Sequence, residues 1–304
     1  MSDFEFITYE IDAGRARITF NRPEKRNALS IPLLEELNTA LWEADNDKGV
    51  HCVILRGAGP CFSAGYDLTP TPNARVEGGD STRTYRDGGI YADPTIDDDI
   101  WRLERGQRLR MTLFDMHKPT IAQVHGYCIA GGTDIALLCD MVIVADDATI
   151  GFPPARDLGS LPNQMWLYHC GPQWTKRLLL TGDTITGAEA PLIGFAMKSV
   201  PADMLEAEVE GLADRLAKID PDLLSSNKRI VNLGMELMGA RTLQRLAAEN
   251  DGRAHLAPGT AAFRQNAKEK GLKAALQARD ADFGDGRARV VGPEVRDADG
   301  RLVE

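Results

Sequence analysis

The sequence predicts an α/β protein built in layers. Residues 52–56 (Cys-Val-Ile-Leu-Arg) and 141–145 (Met-Val-Ile-Val-Ala) are apolar runs without alternation, as strands of a parallel sheet covered on both faces are. Stretches of helical periodicity lie between such runs. The first half therefore reads strand–helix–strand–helix–strand–helix–strand, which calls for right-handed crossovers. After Pro162 the pattern turns almost wholly helical.

The chain opens with two short alternating runs, 6–11 and 15–20, joined by Asp12-Ala13-Gly14, a hairpin signal. A polar, basic loop follows at 21–27. Ser30 is the expected N-cap of a helix with Pro32 near its first turn. Leu33, Leu34, Leu37, Ala40, Leu41 and Ala44 recur behind it at helical spacing. Residues 69–99 shift to Pro, Gly, Asp, Arg and Thr and read as a long irregular excursion, a functional lid or a disordered segment. The acidic run 97–99 reads as solvated surface or as an N-cap. The helical pattern resumes over 100–116, with Trp101, Leu103, Leu109, Leu113 and Met116 as its apolar side. Strands follow at 120–124, 141–145 and 149–152. Helices are expected at 163–169, 175–181, 187–193, 201–217, 221–238, 241–250, 258–268 and 272–281. The organisation is an α/β core over 1–200, a helical region over 201–283, and a charged tail at 284–304 that is expected to fray.

The formal net charge of −10 argues against nucleic acid or an anionic membrane as the main partner. No 18-residue apolar run is present, so no membrane span is expected. The acidic start, Met-Ser-Asp-Phe-Glu, matches neither a secretory signal nor a transit peptide. The five cysteines, at 52, 61, 128, 139 and 170, lack CxxC spacing and read as reduced core residues rather than a disulfide framework or a metal site. The expected location is the cytoplasm.

Two stretches carry chemistry. In the first, the strand at 120–124 runs through a turn into Ala130-Gly131-Gly132-Thr133-Asp134 and a helix. Gly131 and Gly132 let the backbone approach a ligand closely, and the helix start aims unpaired N–H groups outwards. That suits a phosphate, or an oxygen that becomes negative during a reaction, with Asp134 beside it in the first turn. The second is Cys61-Phe-Ser-Ala-Gly-Tyr-Asp-Leu68, at the carboxyl end of the strand at 52–56, where ligands of α/β folds collect.

Together with Asn21-Arg-Pro-Glu-Lys-Arg-Asn-Ala-Leu29 and Thr181-Gly-Asp-Thr-Ile-Thr-Gly-Ala-Glu-Ala190, these stretches resemble the enoyl-CoA hydratase/isomerase (crotonase) superfamily from about Phe4 to Phe283. The resemblance implies a crotonase fold of repeated ββα units, a C-terminal helical trimerisation region, and a homotrimer or hexamer. It also implies an acyl-CoA substrate, with coenzyme A as part of that substrate and no other cofactor. The backbone N–H groups of Tyr66 and Gly131 would hold the thioester oxygen as it becomes negative; one such donor typically lowers a barrier by roughly 3–4 kcal/mol. Asp134 matches the first acid/base position. Arg26, Ala28, Leu29, Ser63, Ala64, Gly65, Asp67, Leu68 and Gly132 would line the coenzyme A and acyl site. Lys25 stands beside Arg26 as a further phosphate candidate. Arg279, on a terminal helix, would reach the coenzyme A of a neighbouring subunit, with Lys270 and Lys273 as competitors.

One departure stands out. Where hydratases usually place a second glutamate, this chain has Pro154, and eight residues later it has Pro162; neither side chain can titrate. Asp157 is the secondary acid/base candidate, with Tyr85, Tyr91 and Asp93 of the excursion as further donors. The implied activity is an enoyl-CoA hydratase-type lyase using one carboxylate. A dienoyl- or enoyl-CoA isomerase, a decarboxylase, a hydrolase or a C–C lyase stand as alternatives. A catalytically weak thioester-binding or structural subunit is the alternative of another class.

Overall fold

The computed structural model describes residues 3–68 and 95–303. Strands β1 (Ile7–Asp12) and β2 (Arg15–Phe20) form an antiparallel hairpin, and β2 pairs in parallel with β3 (Cys52–Gly57) after helix α1 (Ile31–Asn46). Helix α2 (Ile96–Asp115) leads to β4 (Thr120–Val124), and β5 (Tyr127–Ile129) and α3 (Gly131–Leu138) lead to β6 (Met141–Ala145). A short β7 (Thr149–Gly151), α4 (Trp166–Thr181), β8 (Thr184–Thr186) and β9 (Lys198–Val200) complete the core. The main sheet has the order β1-β2-β3-β4-β6-β9, and β5-β7-β8 form a second, smaller sheet.

The unalternating apolar strands are explained by cover on both faces. Val53, Leu55, Ala122, Val124, Val142 and Val144 enter the main core with α1 and α3. Cys52, Ile54, Ile121, Ile143 and Ala145 point the other way, onto Leu205, Val209 and Ala213 of α5 (Leu205–Leu216). Arg15 and Arg17 of β2 pair with Glu210 of α5 at 2.6 Å each, which ties that helix to the hairpin. All five cysteines are free and buried. Among the described residues, no helix is long and apolar enough to cross a membrane.

Several expectations are corrected. Helix α2 begins four residues before 100, because Thr95 caps it and Asp98 bonds back to the Thr95 N–H; the acidic run lies inside its first turn, at the positive end of the helix dipole. Residues 69–94 of the expected excursion, with Tyr85, Tyr91 and Asp93, lie outside the described residues. Of the expected apolar side of α2, Leu113 and Met116 are buried and Leu109 packs against the core, whereas Trp101 is exposed; Gly106, Gln107, Arg110, Met111 and Phe114 face inward as well. The helices expected at 163–169 and 175–181 both lie within α4, as two segments separated where Gly171 leaves the helical conformation at φ 65°, ψ 172° ahead of Pro172; the first starts at Trp166 rather than 163. The stretch 187–193 is a 3-10 helix.

Helices α6 (Pro221–Leu237), α7 (Ala240–Ala254), α8 (Pro258–Lys270) and α9 (Leu272–Asp280) follow α5. The tail does not fray. Gly286 O accepts from Thr184 N and Ala288 N donates to Thr184 O, both at 2.8 Å. Strands β10 (Val295–Arg296) and β11 (Leu302–Val303) pair, and Ala288 and Leu302 are buried.

Candidate active site

The parallel β3 and β4 end side by side, so the loops that leave their carboxyl ends meet. Phe62 N donates to His125 O at 2.8 Å, Ser63 N to Tyr127 O at 2.9 Å, and Ile129 N to Ser63 O at 3.2 Å. Asn27, fully buried, anchors the same place from the basic loop, donating through Nδ2 to Cys61 O at 2.7 Å and Ala58 O at 2.9 Å. Leu29 N donates to Gly65 O at 2.8 Å and Asp67 N to Leu29 O at 3.2 Å. Three segments distant in sequence are thus fastened by backbone bonds.

This fastening leaves some amides over. Among the described residues, neither Tyr66 N–H nor Gly131 N–H has an acceptor, although Gly65 N, Asp67 N, Ala130 N and Thr133 N are paired. Glycine is required here for reasons of space. A Cβ on Gly65, whose φ is +93°, would stand 2.6 Å from Ala130 Cβ and 3.1 Å from Gly131 N; one on Gly131 would stand 2.7 Å from the Tyr66 ring. Ala130, just before α3, is held at φ 53°, ψ −124°, a conformation that costs a non-glycine residue of order 1–3 kcal/mol. The strain aims the start of α3 at Tyr66.

Asp134 lies in the first turn of α3 and is 1% exposed. Burial pushes its carboxyl up to about 7; the Arg110 guanidinium, the Tyr66 hydroxyl and the Asn163 backbone N–H pull it back, and Asp251 pushes it further up. The Tyr66 hydroxyl donates to Asp134 Oδ2. Burial holds the tyrosine well above its ordinary value, so it stays a donor. Asp134 Oδ1 has no partner at hydrogen-bonding distance among the described residues. Thr133 Oγ1 donates to Ala130 O at 2.7 Å and accepts from Trp166 Nε1 at 3.1 Å, which fixes the turn beneath the carboxylate.

The other expected residues divide. Arg26 is exposed, in the left-handed region at φ 51°, with its guanidinium 5.4 Å from the Tyr127 ring centroid. Ser63 is buried; its hydroxyl donates to Asn27 O at 2.8 Å and accepts from Gly65 N at 3.1 Å, so it staples the loop. Asp67 pairs with Arg22 at 2.9 Å, whereas Leu68 is 43% exposed at the rim. Ala28, Leu29, Ala64 and Gly132 lie on the fastened segments. Arg279 is drawn into its own chain, forked onto Asp280 at 2.8 and 2.9 Å and 4.0 Å from Asp157. Asp157 follows the 3-10 turn of Pro153–Arg156, and burial lifts it to about 6 against the pull of Arg279. Its neighbour Arg156 is structural, bonded to Asp183 at 2.9 Å, to Asp280 at 2.8 Å, and stacked 3.8 Å from the Phe283 ring centroid. Among the described residues, no cluster of three His, Cys, Asp or Glu is arranged to hold a metal ion.

Sequence reasoning missed Arg110, Asn163 and Asp251. Arg110, on α2, is 2% exposed; its guanidinium carbon lies 5.1 Å from the Tyr66 ring centroid and its Nε donates to Asn163 Oδ1 at 2.6 Å. Asp251, on α7, is 4% exposed and raised by burial to about 6. Its Oδ1 accepts from Ser160 N at 2.8 Å and lies 3.4 Å from His255 Nε2. The one sequence mark of this polar face was Gly106-Gln107 followed by Arg110, a small and polar stripe inside an otherwise amphipathic helix. An open cleft of about 400 Å³, lined by Ser160, Gln164, Leu243 and Arg253 among others, lies along α7 and includes none of the Tyr66, Gly131 or Asp134 group.

Known proteins resemble this chain in sequence and in fold. Residues 15–251 match the family model described as enoyl-CoA hydratase/isomerase. EchA13 of Mycobacterium tuberculosis, a protein named for enoyl-CoA hydratase, is 36% identical over 247 residues, 78% of this chain and 76% of that one. A hydroxycinnamoyl-CoA hydratase-lyase of Pseudomonas fluorescens is 31% identical over 229 residues, 73% of this chain and 76% of that protein. The crystal structure of an enoyl-CoA hydratase from Mycobacterium smegmatis superposes with a TM-score of 0.85 at 36% identity, covering 95% of this chain and 98% of that one. With this fold and these matches, the chain belongs to the enoyl-CoA hydratase/isomerase family and has its crotonase fold.

Proposed function

We propose that this enzyme adds water to, or moves a proton on, a 2-enoyl coenzyme A thioester, with Asp134 as its acid/base group. The Tyr66 and Gly131 N–H groups receive the thioester oxygen as it becomes negative, an oxyanion hole made of backbone donors that need not reorganise during the reaction. Coenzyme A enters as part of the substrate, along 26–29 and 63–65. The observation that carries the reading is the meeting of two unpaired amides with a buried carboxyl raised to about 7, which is poised to gain or lose a proton near neutral pH.

A second reading has its own support. Pro153 and Pro154 fill the turn where a hydratase of the usual kind has its second carboxylate, and neither can activate water. That favours chemistry needing one carboxylate, such as a double-bond shift. Replacing Asp134 with Asn should abolish turnover of 2-enoyl thioesters while acyl-CoA affinity changes less than about threefold. A fully active variant removes Asp134 from its role. A wild-type protein that binds thioesters and converts none of a panel of enoyl, dienoyl and malonyl types supports a binding role instead.

Self-association is part of the same reading. Leu223, Ile230, Val231, Leu237 and Met238 on and just after α6 are each more than half exposed, an apolar face that a second copy would cover. Light scattering should give a trimer or hexamer; a monomer at micromolar concentration contradicts this.

A further inference from the structure

Arg110 is a buried cation whose charge is not matched by its contacts. Among the described residues it makes no ion pair: Nε is used on the neutral Asn163 amide, the guanidinium lies against the Tyr66 ring, and buried Nη2 has no acceptor. Burying a charge without a hydrogen-bonded partner is costly, and such groups are ordinarily paired. Asn163 is itself held, donating through Nδ2 to Gln244 Oε1 at 3.1 Å, so the arginine cannot swing out to water without breaking a buried chain of bonds. Gly106 keeps room beside it: a Cβ there would stand 3.3 Å from Arg110 Nη1. The cation therefore sits fixed, one aromatic ring away from Asp134, with a donor unused.

We propose that Arg110 receives an anionic oxygen of the acyl group, so that the preferred thioester carries a carboxylate beyond its reacting carbons. This rests on the acyl-CoA reading above and specifies its substrate class. Arginine suits the task because its planar fork binds a carboxylate through paired N–H donors, and a charge-assisted bond in a dry site is strong. A neutral alkyl chain would leave Nη2 unsatisfied beside it. Asp134 is not a sufficient counterion, since a carboxyl that must give and take a proton is uncharged for part of each cycle.

The test compares acyl groups of equal length that end in methyl or in carboxylate. Binding is measured by calorimetry with two saturated thioesters, pentanoyl-CoA and the monothioester of pentanedioic acid. Turnover is measured with the matching 2-enoyl pair. The wild-type protein should favour the carboxylate-bearing member by about tenfold or more in both. In Arg110→Met, which fills a similar volume without charge, the ratio should collapse to within about twofold, and Arg110→Lys should recover part of it. Equal wild-type affinity for the two saturated thioesters overturns the proposal, as does an undiminished ratio in a folded Arg110→Met. The wild-type ratio needs no variant, so a misfolded substitution does not spare the proposal. If neither enoyl thioester is turned over but the binding ratio holds, the catalytic reading fails and the assignment of Arg110 stands.

Discussion

The Tyr66 hydroxyl donates to the Asp134 carboxyl; burial lifts the carboxyl to about 7 and keeps the tyrosine protonated. If Asp134 acts first as a base, kcat/KM should rise with pH along a limb centred near 7, the value that burial imposes on it. The Tyr66 hydroxyl stabilises the charged form, so Tyr66→Phe should move that limb to higher pH and lower the rate at neutral pH by about tenfold, the cost of losing one bond to a charged group. A pH–rate profile checks both; an unmoved limb in Tyr66→Phe contradicts the pairing. The linked effect on stability has a definite sign. The native pKa lies above the ordinary 3.8, so the stability carried by the neutral carboxyl is complete below pH 3.8 and is lost as pH rises through about 7. At this scale the sequence was legible where chemistry is contiguous: Gly65-Tyr66 and Gly131 to Asp134 are short motifs. Arg110 and Asn163 were not. They lie 53 positions apart, and an arginine on an amphipathic helix looks like any solvated charge until the fold turns it inward.

At the scale of elements, the site depends on how closely β5 and the start of α3 approach the 61–68 loop. Gly65→Ala should collapse this approach, because its Cβ would meet Ala130 Cβ, Ile129 O and Gly131 N together at a φ that disfavours side chains. We expect at least a hundredfold loss of kcat/KM and a drop in Tm; a variant with unchanged activity shows that the two amides need not be this close. The parallel strands were readable from their unalternating apolar runs, since both faces of the sheet are covered. The start of α2 and its polar inward residues were not. Its first residues are acidic and resemble a loop, and Gln107 and Arg110 are buried beside the core residues Met111, Leu113 and Phe114. Short strands such as β5 and β8, three residues each, have too few side chains to show a period.

Across the whole molecule, the tail is structural. Beyond its backbone bonds to β8, it supplies Glu294, which pairs with Arg177 at 2.5 Å; Arg177 in turn meets the buried Asp183 that also holds Arg156. Removing 284–304 should therefore lower Tm by several degrees, measured by calorimetry, because Leu302 and Ala288 leave the core and this ion network loses a member. A Tm unchanged within one degree contradicts the docking. Composition hid this role: a charged, glycine-bearing stretch reads as fraying unless the partners waiting on α4 and β8 are known. The helical region from α5 onward was legible in number and near its true bounds, but not its contribution of Asp251 to the electrostatics around Asp134.

The central claim is that Asp134 moves a proton next to a thioester whose oxygen the Tyr66 and Gly131 amides hold. Hydrogen exchange at the Cα of a saturated acyl-CoA in heavy water, followed by NMR, tests it without depending on the later course of the reaction. The wild-type enzyme should catalyse the exchange and Asp134→Asn should not, while both bind the thioester. Equal exchange by the two proteins, or none by a wild-type protein that binds it, would contradict the account.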